Sequence, residues 1–588
     1  MKQRKMKRIM SAFLALSMIC SLTACGDKQE TNKTQSGISS ESTNASEVSS
    51  EQEDLYYNKT GYPICDEPIT ITVSGILESS ATLDWNSTKL VKVIEEKLGI
   101  KLECSPIPKD AWNSQYALML STGDIPDLII NANHNRSQVD IDGASGFWLD
   151  MSQYMELMPN LRALFEKYPD FAASSKTEKG NIYSLGRTAP SRSSTIYSEI
   201  YYDSSLTEAA GVGEINTVDD FYQALKLVKE AYPDKIPLGA TFDKAPAYKV
   251  DQIIRTAFGI ENYEAKKAQF MVDDDGKVYY ADITDNNREY LKFMNKLYKE
   301  ELLDNNCFIV TKDEYRANTK EGKYVFYSDS GMQITTADAN AAKADPTKQE
   351  ELYSKYSYLF ALTSEYQTEK SFVLESPVLS QARIFINAET EYPEAICRLI
   401  DYFATEEGQW LATYGTEGED FEFIDDGYGN KVMSQENFWD KENYKTVAEW
   451  QNNAIVISAG FPVVWGVHTL YLDNASTATL EAMAKDPNVK NYYHARELLE
   501  FSRQVEREVV PLPPLSYTAE EDNEVGNLRT DLNNYLMQMK VNFITGESDP
   551  YNDKDWENYV NQVKAMGYDK LIEVDQAAYD RLKSAMNN

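Results

Sequence analysis

Histidine is the scarcest chemically versatile residue in this chain. Three in 588 residues, His134, His468 and His494, are too few and too scattered to build a His-based metal centre. Cysteine is nearly as rare. Of six, Cys20 and Cys25 lie at the very start, and Cys65, Cys104, Cys307 and Cys397 match no zinc or redox spacing. Those four read as buried free thiols, with a Cys65–Cys104 disulfide as the alternative. Basic residues are outnumbered: 58 Lys and Arg against 93 Asp and Glu give a formal net charge of −35. Such a surface does not attract nucleic acid or anionic lipid. No Gly-x-Ser-x-Gly elbow, His-Glu-x-x-His or phosphate loop is present. Beyond the N-terminal segment, no apolar run reaches the about 18 residues that a membrane span needs.

What is there begins with a targeting segment. Lys2, Arg4, Lys5, Lys7 and Arg8 form a basic region, and Ile9 to Leu22 an apolar one. The segment ends in Leu22-Thr23-Ala24-Cys25-Gly26, which looks like a bacterial lipobox. Residues 1–24 read as a lipoprotein signal peptide and Cys25 as the lipidated residue. Two or three acyl chains on one cysteine anchor firmly, where one chain binds marginally. Removing residues 1–24 takes away five positive charges and no acids, so the mature chain is near −40. Residues 25–60 are Ser, Thr, Asn, Gln and Glu-rich and cannot offset their own ordering entropy. They read as a disordered tether with a mean reach of roughly 30 Å.

The remaining body, about 530 residues, is too large for one core and implies at least two lobes. It opens with Ile69–Ser74, a strand by alternation and β-branching. A helix over Ser87–Leu98 follows, stopped by Gly99, then a strand at Ile100–Cys104, a helix at Trp112–Leu120 and a strand at Leu128–Asn131. That β-α-β-α-β order predicts a parallel sheet in an α/β fold. Ligands on such sheets bind beyond the carboxyl ends of the strands. Further on, Asp273-Asp274-Asp275-Gly276 is turn chemistry, and Val278–Tyr280 a short strand. Thr284 or Asp285 caps a helix whose Leu291, Met294, Leu297 and Tyr298 share one face.

That stretch, KVYYADITDNNREYLKFMNKLYKEELLDN over Lys277–Asn305, resembles a signature of the family 1 extracellular solute-binding proteins, the carbohydrate-binding lipoproteins of bacterial ABC importers. The resemblance continues in order along the chain. LMLSTGDIPDLI (Leu118–Ile129), Trp148–Met155, Pro159–Leu161, KGNIYSL (Lys179–Leu185) and TVDDFYQAL (Thr217–Leu225) each resemble a family element. So do Tyr392–Ala395, Thr405–Trp410, Tyr414–Gly418 and the closing segments from Phe543 to Arg581. Two departures stand out. Ile200–Leu206 lacks the Arg and Trp that the family often places there. Ala231–Leu238 lacks the oxygen ligands of the family's calcium loop, so no metal is expected.

The resemblance implies a bilobal periplasmic-binding-protein-like fold of the type II, Venus-flytrap kind, two α/β lobes joined by hinge crossovers, with extra C-terminal helices. The expected boundaries are 61–195 for lobe 1, 196–328 for lobe 2, 329–390 for a return to lobe 1, and 391–588 for a mainly helical lobe 2 return and C-terminal helices. It implies capture of an oligosaccharide for an ABC permease, from the outer face of the cell membrane, as a monomer without a cofactor. Sugars are held by aromatic stacking and by hydrogen bonds to their hydroxyls. Candidates at expected loop ends are Trp85, Asn86, Asn133, Asn135, Trp148, Tyr197, Tyr202, Asp203, Asp329 (placed at the return crossover), Arg383 and Trp465. An extracellular glycoside hydrolase, and a binder of peptides or another solute on the same scaffold, are the competing readings.

Overall fold

The computed structural model describes residues 55–586, apart from 79–83, 190, 197–198, 243–249, 263–269, 330–331, 346–347, 376–377, 458–459, 462–463, 465–471, 487–488, 490–491, 512–514 and 516. All described residues belong to one unit, Leu55–Asn588. The signal segment, Cys25 and the tether up to residue 54 lie outside them. The tether was expected to run to residue 60, and it stops sooner. Tyr57 is buried in the first core, the Tyr56 hydroxyl donates to Glu394, and the Arg398 guanidinium donates to the carbonyls of Asn58 and Gly61. Two adjacent tyrosines supply the apolar surface that the preceding polar stretch lacks.

In chain order the strands are β1 (Ile69–Leu77), β2 (Ile100–Pro108), β3 (Leu128–Ile130), β4 (Leu185–Thr188), β5 (Ile200–Asp203), β6 (Ile236–Leu238), β7 (Phe270–Val272), β8 (Val278–Tyr280) and β9 (Tyr324–Tyr327). They continue with β10 (Tyr356–Leu359), β11 (Ser371–Val373), β12 (Val378–Ile386), β13 (Glu422–Asp425), β14 (Lys431–Ser434) and β15 (Arg507–Val509). One five-stranded sheet has the order β2-β1-β3-β12-β4. β1 pairs in parallel with β2 and β3, as the β-α-β-α-β reading predicts, and β12 enters antiparallel between β3 and β4. The helix Lys89–Leu98 buries Leu90, Val91, Ile94 and Leu98 against this sheet. It ends at Gly99, whose φ of 69° is left-handed. A Cβ there would lie 1.9 Å from the Cys65 carbonyl oxygen, so only glycine fits.

The second sheet has the order β10-β5-β9-β6. Its core takes in the helices Val218–Ala231, Asp285–Lys299, Tyr492–Gln504 and Ala519–Thr545. Thr284 caps the Asp285–Lys299 helix by accepting from Asn287 N–H, and Leu291, Met294 and Leu297 are buried, as the spacing predicts. Buried Asn295 adds a polar tie: its amide donates to the carbonyls of Phe543 and Ile544 on the C-terminal helix. The first sheet keeps a separate core with helices Lys89–Leu98, Pro159–Lys167, Pro393–Ala404 and Glu406–Tyr414. Two large sheets that share no strand, each with its own main core, are the physical content of two lobes.

The expected boundaries need correcting on this point. Residues 329–390 were expected in lobe 1, yet β10 pairs antiparallel with β5 in the second sheet. The chain returns later, just before β12, where Glu375 N–H donates to the Thr195 carbonyl. Residues 391–588 were expected with lobe 2, yet the helices Pro393–Ala404 and Glu406–Tyr414 pack in the first core. The chain then passes over again between Val464, in the first core and bridged to Thr188, and Leu472, in the second. Thr188 and Thr195, ahead of β5, thus meet both of the later passages, at Val464 and Glu375. At the far C-terminus, helix Tyr568–Met586 touches helix Pro169–Ser175 of the first lobe.

Cys65, Cys104, Cys307 and Cys397 are free and buried. Burial pushes the Cys65 thiol up to about 11 and the Cys104 thiol up to about 12. The thiolate is the reactive form. All four are therefore expected to resist a thiol reagent such as DTNB in the folded protein and to react together in urea. Rapid labelling of any one without denaturant would contradict this burial.

Candidate functional site

The crossovers leave from one edge of each sheet. On the first sheet that edge holds the carboxyl ends of β1, β2, β3 and β4 and the start of β12. On the second it holds the start of β5 and the carboxyl ends of β6, β9 and β10. These two rims face the crossovers and carry the candidate site residues.

Three residues shape the rim after β3. Asn131 and Asn133 both adopt left-handed backbone, with φ of 50° and 48°. Asparagine tolerates this conformation better than most residues. Through this double twist the chain stays paired to β12, and Asn135 then caps the helix Arg136–Ala144 by accepting from Gln138 N–H. Between them His134 is pinned to β12: its N–H donates to the Ala382 carbonyl at 2.9 Å and its carbonyl accepts from Ala382 N–H at 3.1 Å. The Asn131 side chain donates to the Ile76 carbonyl and accepts from Arg383, so it ties β1 to β12.

A network of aromatic and polar groups backs this rim. Trp112 Nε1–H donates to His134 Nδ1 at 3.2 Å. The His134 ring stacks on Tyr116, with centroids 4.0 Å apart. The Tyr116 hydroxyl donates to Asp142 and accepts from Trp148 Nε1–H at 3.2 Å. An indole nitrogen can only donate, so His134 Nδ1 must be unprotonated. Burial holds the His134 ring below its ordinary value of 6.5, against an upward pull from Asp142. The folded chain therefore refuses a proton that the unfolded chain accepts. The stability this gives is full above pH 6.5 and is lost as the pH falls through the lowered value. The titratable and charged groups on the elements packed around the ring are Tyr116, Asp142 with the Arg136–Asp140 pair on the same helix and, on the paired strand, Arg383.

Cations also mark this rim. Arg383 is buried, and Arg187 sits near it on β4. Burial, then the like charge of Arg187, push the Arg383 guanidinium down to about 9, so it remains a cation at neutral pH. On the second rim Asp329 is completely buried and gripped by Arg316, at 2.9 Å from Nε and 2.7 Å from Nη2. After β6, Phe242 stacks on Phe308 with centroids 4.7 Å apart, and the neighbouring Ile309 is exposed.

The residues expected from the sequence fall in several places. Asn133 is exposed on the first rim, and Arg383 lies there too. Asn135 is there as a helix cap. Trp85 is buried in the first core, and Asn86 spends its amide on both backbone groups of Cys104. Trp148 is 1% exposed against Phe385, with its nitrogen already bonded. Neither tryptophan presents a free face to a sugar, and Asn86, though exposed, has its amide already bonded. Asp203 caps helix Ser204–Ala209, and Tyr202 stacks on Phe326. Both sit at the end of β5 away from the crossovers, because β5 starts at the rim. Asp329 is on the rim, but at the end of β9 and not at the return crossover, and the exposed part of its pair is Arg316. Tyr197 and Trp465 lie outside the described residues.

The sequence reading missed His134, Arg187, Arg316 and the Phe242–Phe308 stack. The one local signal was the run Asn133-His134-Asn135, in which both neighbours of the histidine were singled out. Among the described residues no group of three His, Cys, Asp or Glu could hold a metal ion. Asp273 turns its carboxylate onto the N–H groups of Asp275 and Lys277, closing a turn.

Comparison with known proteins gives this arrangement a place. The chain is 21% identical over 525 residues, 86% of its length and 89% of the relative's, to the fructooligosaccharide ABC transporter substrate-binding protein FusA of Streptococcus pneumoniae serotype 4. It is 20% identical over 499 residues, 82% of its length and 87% of the relative's, to the lipoprotein LipO of Bacillus subtilis. Among solved structures, an extracellular solute-binding protein from Bifidobacterium longum subsp. infantis superposes with a TM-score of 0.67 at 18% identity, over 88% of this chain and 98% of that one. The likeness in structure establishes the bilobal α/β fold of the periplasmic binding proteins. The description "Bacterial extracellular solute-binding protein" matches residues 85–410, more than half of the chain. With its two sheets, separate cores and crossovers at the rims, this chain belongs to the family of bacterial extracellular solute-binding proteins.

Proposed function

We propose that this protein captures an oligosaccharide between its lobes and delivers it to the membrane subunits of an ABC importer. The observation that carries the reading is the pair of rims beside the crossovers, one with Asn133, His134 and Arg383, the other with Arg316 and the Phe242–Phe308 stack. They offer hydroxyl partners on one side and an aromatic face on the other. The name of the FusA relative, a fructooligosaccharide-binding protein, supports the ligand class. Ligand touching both rims favours the closed form and shifts the population toward it. The protein acts as a binder and not as an enzyme. It works as a monomer on the outer face of the cell membrane, held by lipid on Cys25, with LipO as a lipoprotein relative in support.

The test is thermal shift on the chain from residue 26 onward, with fructooligosaccharides, mannooligosaccharides, oligogalacturonates, peptides and amino acids. A ligand at 100 times its dissociation constant adds about 2.7 kcal/mol of stability, a measurable rise in midpoint. The expected result is a rise with an oligosaccharide that is recovered intact. Recovery of cleaved sugar would replace this reading by a glycoside hydrolase, and a response to peptides alone would replace the ligand class.

A further inference from the structure

We infer that His134 is a specificity-determining residue of the proposed carbohydrate site, where its Nε2–H is a fixed, neutral donor to a sugar hydroxyl. This role rests on the carbohydrate reading above and adds to it a residue that the sequence did not single out.

The argument starts from proton inventory. Trp112 Nε1–H donates to Nδ1, and a neutral imidazole carries one proton, so that proton is on Nε2. The ring cannot turn away. Tyr116 stacks on it, the Tyr116 hydroxyl is held by Asp142 and Trp148, and the His134 backbone is pinned by Ala382 on both sides. His134 is half-buried, and among the described residues Nε2 has no protein partner and is not a buried orphan. It therefore opens to solvent at the rim, on the side of the ring away from Trp112. A donor held in place before the ligand arrives loses little freedom on binding. A neutral donor also suits a hydroxyl, where a guanidinium is matched to a carboxylate.

A histidine placed here only to satisfy Trp112 is the competing explanation, and two substitutions separate the roles. H134N keeps an acceptor at the Nδ1 position for Trp112 and removes the donor at Nε2. H134Q keeps an amide donor near the Nε2 position and removes the acceptor. Dissociation constants are measured by calorimetry for wild type and both variants with fructooligosaccharides, mannooligosaccharides and oligogalacturonates. Thermal midpoints without ligand are recorded alongside. The expected pattern is crossed: H134N holds its midpoint and binds about tenfold more weakly, the loss of roughly one hydrogen bond, while H134Q melts lower and binds more nearly like wild type. H134N binding as wild type does, with only H134Q impaired, overturns the role of His134 and leaves carbohydrate capture standing. Wild type binding none of the three sugar classes overturns both.

Discussion

Replacing Trp148 by alanine is expected to cost about 3–5 kcal/mol of stability and to lower the intrinsic affinity of the folded protein for its ligand far less, only through the loosened Tyr116 behind His134. On sequence grounds this tryptophan, in a glycine-rich loop, is a stacking platform whose loss weakens binding by about 1–3 kcal/mol. The structure moves the effect from binding to folding. The indole is 1% exposed, its ring lies 4.5 Å from that of Phe385, and its nitrogen donates to the Tyr116 hydroxyl. Its backbone bridges to Asn387 beyond the end of β12. Truncation leaves a cavity that these strands cannot close, and it removes one of the two groups that hold Tyr116 behind His134. Urea denaturation reads the stability, and calorimetry well below the thermal midpoint reads the affinity. A stable variant that binds tenfold more weakly would return Trp148 to the ligand site.

Asp575→Ala carries a second large effect, for a different reason. Asp575 is completely buried on the last helix, Tyr568–Met586. It accepts from Arg529 at 2.7 Å, from the Tyr517 hydroxyl at 2.9 Å and from the Tyr280 hydroxyl at 2.7 Å. One carboxylate thus joins β8, helix Ala519–Thr545 and the C-terminal helix. Removing it leaves a largely buried guanidinium and two buried hydroxyls without their acceptor, a loss of about 3–5 kcal/mol. The double substitution of Asp575→Ala with Arg529→Met is expected to recover part of that loss, because no charge is then stranded. Denaturant midpoints measure both. Hydrogen exchange should show the C-terminal helices losing protection before the first sheet does. Equal loss in the single and double variants would mean that the hydroxyls, and not the ion pair, hold this junction.

Local elements were legible because their causes are local. The Lys89–Leu98 helix shows its apolar face and its Gly99 stop within a dozen residues. Thr217 and Thr284 announce helix starts by their own side chains. Pairing across long separations was not legible. Nothing near Tyr356–Leu359 says that this strand joins β5 rather than the first sheet. Nothing near Pro393–Ala404 says that this helix returns to the first core.

The candidate site divides in the same way. Its position beyond the strand ends followed from the β-α-β order alone, and Asn133 was found there. The direction of each side chain depends on neighbours on other elements, whether 13 or 252 positions away. Asn131 meets Arg383 across 252 positions, and Asp329 is consumed by Arg316 on a helix that folds back over β9. Trp85 and Trp148 look alike in sequence to any exposed tryptophan, because burial is a property of what packs against a ring and not of the ring.

By itself, the amino-acid order determined the α/β class, the helix caps, the first parallel strands and the family, since each rests on spacing within a few turns of chain or on an ordered series of short motifs. Tertiary structure alone decided which rim residues remain open to a ligand, where the chain crosses between lobes, and that His134 holds its proton on Nε2. Those depend on contacts between segments far apart in the chain, and local propensity carries no record of them.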